Sequence, residues 1–235
     1  MKMNTNSNTY TIIYSIVLVL IVAFLLAFVS QALKSRQDAN VKLDQKKQIL
    51  YSLNIRGLND NDAEKKFAEV VQGKNTGEQT GENEETLIEA DPTDGKAGVY
   101  VCQIDGKPIY VVPLKGMGLW GGIGGYLSYD PATMTVYGAY FNHESETAGL
   151  GAEIKDSQKW QEKFQGKKIL KEGVDGIALG VVKKVDDQET QVEAISGATL
   201  TSNGVNDMLK KCLAEYIKVQ TANAEDTVTA KPVKE

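Results

Sequence analysis

The chain has 235 residues, with 26 Lys and Arg against 31 Asp and Glu, giving a net charge of -5. That length accommodates one buried domain plus accessory segments. The acidic balance, with a pI near 5.1, has the wrong sign for tracking phosphate backbones and excludes a nucleic-acid partner.

The first element in chain order is apolar. Ile12 to Val29, "IIYSIVLVLIVAFLLAFV", is an uncharged run of 18 residues, set in a stretch without charge from Met3 to Leu33. As a helix the run covers about 27 Å, close to the hydrocarbon thickness of a bilayer. Ser30-Gln31-Ala32 resembles a signal-peptidase site, but the apolar run is long and only Lys2 precedes it. A retained single-pass anchor is the reading. No cysteine follows the run, which excludes a lipoprotein.

Lys34, Arg36, Lys42, Lys46 and Lys47 crowd the C-terminal flank. A count of basic residues alone places the following domain in the cytoplasm, although long translocated domains override that bias. The segment from Lys34 to Leu53 lacks Gly and Pro and continues the helix as a stalk, and a short helix is expected over 60–71. Residues 72–98 are polar, acidic and dotted with glycine, which predicts a solvated loop.

A β-rich core follows. "GVYVCQI" (98–104) and "PIYVVPL" (108–114) flank the hairpin signal Asp105-Gly106-Lys107, and 133–143, 177–185 and 190–195 supply further strand patterns. A helix is expected over 156–164. The closing helix has one apolar face, formed by Val205, Met208, Leu209, Cys212, Leu213, Tyr216 and Ile217, with Ser202 as expected N-cap. Grouped strands with helices at the ends predict one α+β domain. The expected organisation is an anchor (1–34), helical stalk and accessory helix (35–71), polar loop (72–98), ligand-binding domain (99–220) and loose tail (221–235).

Cys102 and Cys212 lie far apart with no CxxC spacing, so this chain alone builds neither a zinc site nor an iron-sulfur cluster. Two buried thiols or a single bridge both remain open. "GMGLWG" (116–121) matches the dinucleotide-binding glycine pattern, but the continuation "GIGGYLSYDP" cannot start the helix that pattern requires. A glycine-rich hairpin carrying Trp120 is expected instead, with backbone able to approach a ligand and an aromatic able to pack on a flat ring.

Two further stretches carry chemistry. "NHESETAGLGAEI" (142–154) places the only histidine, His143, beside Glu144, Glu146 and Thr147, and runs into Gly149, Leu150 and Gly151. "SGATLTS" (196–202) gathers Ser196, Thr199, Thr201 and Ser202 around the small residues Gly197 and Ala198 at a helix entrance. Free amides and the helix dipole favour an anion such as phosphate there, while ordinary capping is the plainer reading.

Together "GLWGG", "ETAGLG" and "SGATLTS", in that order behind one span, resemble the C subunit of the sodium-translocating NADH:quinone oxidoreductase. The likeness covers most of the chain. It implies an FMN-binding domain with the cofactor bound through a phosphoester to Thr199, beside Ser196, Gly197 and Ala198. Glu146, Thr147, Gly149 and Leu150 would then lie along the isoalloxazine, with Trp120 nearby. No metal ligand and no catalytic residue is expected in this chain.

Two positions depart from the family pattern: Glu193 stands where aspartate is usual, and Ala148 replaces a proline. The resemblance also implies the other members of a six-subunit complex as partners, above all the FMN-bearing B subunit and the membrane-embedded D and E subunits. A flavin transferase would install the cofactor. The soluble domain would face the periplasm from the bacterial inner membrane, against the simple charge count. The implied task is to relay single electrons between an iron-sulfur centre and another flavin, coupled to sodium export and quinone reduction. The G subunit of an Rnf-type ferredoxin:NAD complex and a non-redox anchored module are the alternatives.

Overall fold

The computed structural model describes residues 7–76 and 98–229. The chain divides into two compact units, Met1–Asp44 and Gln45–Glu235. Helix α1, Asn8–Ser52, runs unbroken for 45 residues, since neither Gly nor Pro interrupts it. Its apolar stretch is not buried within the chain, and by length and composition the helix is long and apolar enough to cross a membrane. The border between the units falls within α1, whose last turns, from Gln45 on, belong to the folded unit.

In that unit a five-stranded sheet has the order β1-β2-β3-β4-β5. Its strands are β1 Val71–Thr76, β2 Gly98–Ile104, β3 Lys107–Met117, β4 Gly122–Asp130 and β5 Thr135–His143, every neighbour antiparallel. The β2–β3 hairpin turn falls where it is expected but takes only two residues, with Lys107 already in β3: Asp105 and Gly106 have φ of 49° and 75°, the paired positive values whose twist suits a hairpin. Alternation sends successive side chains to opposite faces. Val111 joins one core with Ile49, Leu50, Leu53, Phe67, Tyr100 and Tyr126. Val112 joins the other, with Leu127, Phe141, Trp160, Leu209 and Tyr216.

The last turns of α1 and helix α2, Asp60–Val70, supply the first layer. The second layer comes from the short helices α3, Glu153–Asp156, and α4, Gln158–Glu162, and from the closing helix α5, Thr199–Thr229. The α+β class is therefore the observed one. Cys102 and Cys212 are buried thiols that form no disulfide and pack in these two different cores, with the sheet between them. Burial pushes the Cys102 thiol up to about 12.

Several boundaries differ from the sequence reading. β1 occupies part of the expected polar loop: as an edge strand it pairs its backbone with β2 and needs no apolar alternation. The rest of that loop, 77–97, lies outside the described residues. β4 was hidden by its glycines, which the interior of the sheet demands. Gly125 has φ of 149°, and a Cβ there would collide with the Tyr140 carbonyl oxygen; one at Gly124 would come within 2.9 Å of the Leu114 carbonyl.

The helix expected over 156–164 is broken at Ser157, whose hydroxyl accepts the Trp160 N–H at 3.3 Å and so caps a new helix. The strand patterns over 177–185 and 190–195 shrink to a parallel pair, β6 Gly180–Val182 and β7 Gln191–Glu193. Asn206 of α5 accepts the Val181 N–H at 3.1 Å, so a side chain serves where a longer ladder would. The expected tail over 221–235 is helical as far as Thr229, as the continuation of α5; 230–235 lie outside the described residues.

Candidate functional site

The three glycine-bearing stretches meet at one end of the sheet. "GMGLWG" forms the tip between β3 and β4, closed by the Gly118 N–H donating to the Gly121 carbonyl at 2.9 Å. It opens no helix. Trp120 is 67% exposed at this tip, beside exposed Leu119 and Met117. Residues 143–147 clasp the tip: the Ser145 hydroxyl donates to the Trp120 carbonyl at 2.9 Å, and Glu144 accepts the Gly122 N–H at 3.1 Å.

Thr199 is the first residue of α5 and is exposed. The Ser202 N–H donates to the Ala198 carbonyl at 2.9 Å, so Ala198 occupies the cap position and Thr199 opens the helix. This corrects the expected N-cap at Ser202, which sits buried inside the first turn. Its hydroxyl accepts the Ile195 N–H at 3.1 Å, pinning the approach to the helix from below. Ala198 brings no side-chain acceptor, and the first amides of α5 have none within the helix, so they are available to an anion.

Gly197 has φ of 78°, and a Cβ there would lie 2.9 Å from Leu150 Cδ2. Leu150 thus lies against the 196–198 loop and is 43% exposed. Ser196, Thr147 and Gly149 are exposed around it. The Thr147 carbonyl accepts from the amides of Leu150 and Ala152 at 3.1 and 3.0 Å, a turn that needs no proline at Ala148. Glu193 is exposed and pairs with Lys163 at 3.7 Å, while its carbonyl takes the indole N–H of Trp160 at 2.8 Å.

Glu146 behaves differently from the other expected site residues. It is only 7% exposed, and both oxygens serve the protein: one accepts the Trp120 N–H at 2.8 Å, the other the Thr201 hydroxyl at 2.7 Å. The Glu146 N–H in turn donates to His143 Nδ1 at 3.2 Å. Burial acts to raise the carboxyl pKa. The hydrogen bonds from Thr201, Trp120 and Leu119, with His143 nearby, outweigh it and hold the group below the ordinary glutamate value.

A depressed folded-state pKa contributes stability that is complete above the unfolded value, about 4.3 for glutamate, and disappears as pH falls through the folded value. Urea unfolding between pH 7 and pH 3 should therefore show an acid-side loss in the wild type that is smaller in Glu146→Gln. Equal losses would contradict the assignment.

The residues fit a flavin mononucleotide: an exposed hydroxyl at a helix start for the phosphate end, and exposed Leu150 and Trp120 as apolar surface for a flat ring. The sequence shows Thr201 among the hydroxyls of this stretch but not its bond to Glu146, which lies 55 residues away in the chain. The fold and site define a flavin-binding α+β domain behind a helix that fits a membrane anchor.

Comparison with known proteins agrees. A family profile described as an FMN-binding domain matches residues 118–214. The chain is 32% identical over 205 residues to the C subunit of the Na(+)-translocating NADH-quinone reductase of Haemophilus ducreyi, across 76% of this chain and 79% of that protein. Against the Neisseria meningitidis serogroup A protein of the same description the values are 35%, 66% and 71%. A crystal structure of the same reductase component from Parabacteroides distasonis superposes with a TM-score of 0.70 at 36% identity, covering 80% of this chain and 97% of that one. The Shewanella oneidensis NqrC structure, at 22% identity and a TM-score of 0.60, shares the fold. The chain belongs to the family of the Na(+)-translocating NADH-quinone reductase C subunit, a component of an oxidoreductase complex.

Proposed function

We propose that this protein carries FMN esterified to Thr199 and relays single electrons within a sodium-translocating NADH:quinone reductase. The observation that carries the reading is the exposed Thr199 at the opening of α5, with Leu150 against Gly197 beside it. FMN, when bound, supplies one-electron transfer. The chain supplies placement. Thr199 tethers, the first-turn amides face the phosphate, Leu150 and Trp120 offer apolar surface to the ring, and Glu146 ties the two loops to the helix. Ser196, Gly197 and Ala198 keep the phosphoryl group's approach open, and Thr147 and Gly149 line the loop.

The electron partners in this reading are an iron-sulfur centre and a second flavin in neighbouring subunits. The B subunit with its own FMN and the membrane-embedded D and E subunits are the contacts, and a flavin transferase installs the cofactor. The domain faces the periplasm of a bacterial inner membrane. The basic residues after the span oppose that side by count, a bias that a long translocated domain overrides.

The test is the tryptic fragment bearing Thr199, 185–210, from cells that contain the transferase. It should be heavier by FMN less one water. A fragment of unmodified mass throughout would reject the attachment.

A further inference from the structure

The stretch "SGATLTS" holds more hydroxyls than an ester requires, and two of them are inward. Ser202 and Thr201 are 0% and 1% exposed, whereas Thr199 faces solvent. Ser202 takes the Ile195 N–H and so fixes the loop on its upstream side. Thr201 donates to Glu146 Oε2, and Oε1 of the same carboxylate takes the Trp120 N–H. One ionised group thereby joins the β3–β4 tip, the 143–151 loop and the first turn of α5.

The packing around this joint leaves no slack. A Cβ at Gly151 would strike Glu146 Oε2 and come within 2.6 Å of Thr201 Oγ1, and one at Gly118 would meet both Glu146 Oε1 and Ile123. Gly204, almost one turn beyond Thr201, lies so close to Met117 that a Cβ would meet the Met117 carbonyl and stand 3.2 Å from Gly118 Cα. Such glycines are found where backbones must approach closely.

We propose that Thr201 is a positioning residue for the modification of Thr199: its hydrogen bond to Glu146 sets the first turn of α5 so that the Thr199 hydroxyl is presented to the transferase. The proposal rests on the reading that Thr199 carries FMN. In that step the Thr199 Oγ–P bond forms as the P–O–P bond of a flavin dinucleotide donor breaks. The nucleoside monophosphate leaves and the hydroxyl proton is released, with no change of oxidation state. Thr201 touches none of the reacting atoms. Its effect is on the population of first-turn geometries in which Oγ can attack, the term through which orientation controls rate.

The measurement is the rate of flavin attachment to the full-length chain, co-expressed with the flavin transferase and sampled at early times by in-gel fluorescence and fragment mass. A buried hydrogen bond to a charged group is strong enough that its loss shifts a two-state population by about tenfold or more. Thr201→Val, which keeps shape and loses the donor, should slow attachment about tenfold. Thr201→Ser, which restores the donor, should return it to within about threefold of wild type. A role in packing alone predicts the reverse order, because valine keeps the methyl and serine loses it.

Thermal unfolding of each variant is followed in parallel. If Thr201→Val shows no cooperative transition, Glu146→Gln decides by weakening the same bond from the other side, with the same slowing expected. Attachment at the wild-type rate in Thr201→Val, or serine as slow as valine, overturns the clamp while leaving the carrier reading intact. A wild-type chain without flavin overturns both.

Discussion

Thr199→Ala should give a folded protein with no flavin that survives denaturing electrophoresis. The residue is exposed and opens α5, so alanine removes no buried contact and costs no helix propensity. Its effect on stability should stay within about 0.5 kcal/mol. Only the nucleophilic oxygen is lost, and with it the ester. Ultraviolet illumination of the gel should show a fluorescent band at the protein's mass in the wild type and none in the variant, with unchanged thermal unfolding of the unmodified chains. Thr199→Ser, which keeps an oxygen at the same place, should remain fluorescent. A fluorescent band of normal strength in Thr199→Ala would reject the site.

Gly125→Ala should be the most damaging single methyl in the domain. The residue sits in the middle of β4 with φ of 149°, a value that L side chains rarely adopt, and its Cβ would overlap the carbonyl of Tyr140 on the paired strand β5. Backbone strain of about 1–3 kcal/mol combines with overpacking of about 1–3 kcal/mol, for a loss of about 2–6 kcal/mol. In a folded unit of this size each kcal/mol lowers the melting temperature by about 2–4 °C, so a loss in the middle of that range lowers it by about 10 °C or more.

Gly57→Ala is the internal comparison. Its φ is 76°, but nothing lies within 4 Å of the position a Cβ would take, so only the conformational cost of about 1 kcal/mol applies. Equal melting temperatures for the two variants would refute the steric clash, and a silent Gly125→Ala would show that β4 and β5 can separate locally without loss. The same substitution should also depress flavin attachment, since β4 and β5 carry the tip and the loop that flank Thr199.

Features that repeat over short range were readable from the chain alone. An uninterrupted apolar run made α1, and a 3.6-residue periodicity placed Val205, Met208, Leu209, Cys212, Leu213 and Tyr216 on the buried face of α5. The Asp105-Gly106 turn was equally legible, because its backbone angles are a property of those two residues. Three short stretches sufficed to mark the family, since their glycines and hydroxyls are uncommon in combination.

Whatever depends on partners distant in the chain had to wait for the fold. β1 and β4 are strands because neighbouring strands pair with them, not because their own residues alternate. Ser157 breaks a helix by capping the next one, a competition that propensity does not settle. The hydroxyls of "SGATLTS" all read as helix-end chemistry until packing divided their work: Thr199 outward to solvent, Ser202 to Ile195, and Thr201 to a carboxylate that also holds the Trp120 amide. Local pattern fixes which face of an element is apolar. Which buried donor meets which acceptor is set by how whole elements pack, and that is where Glu146 acquired its role.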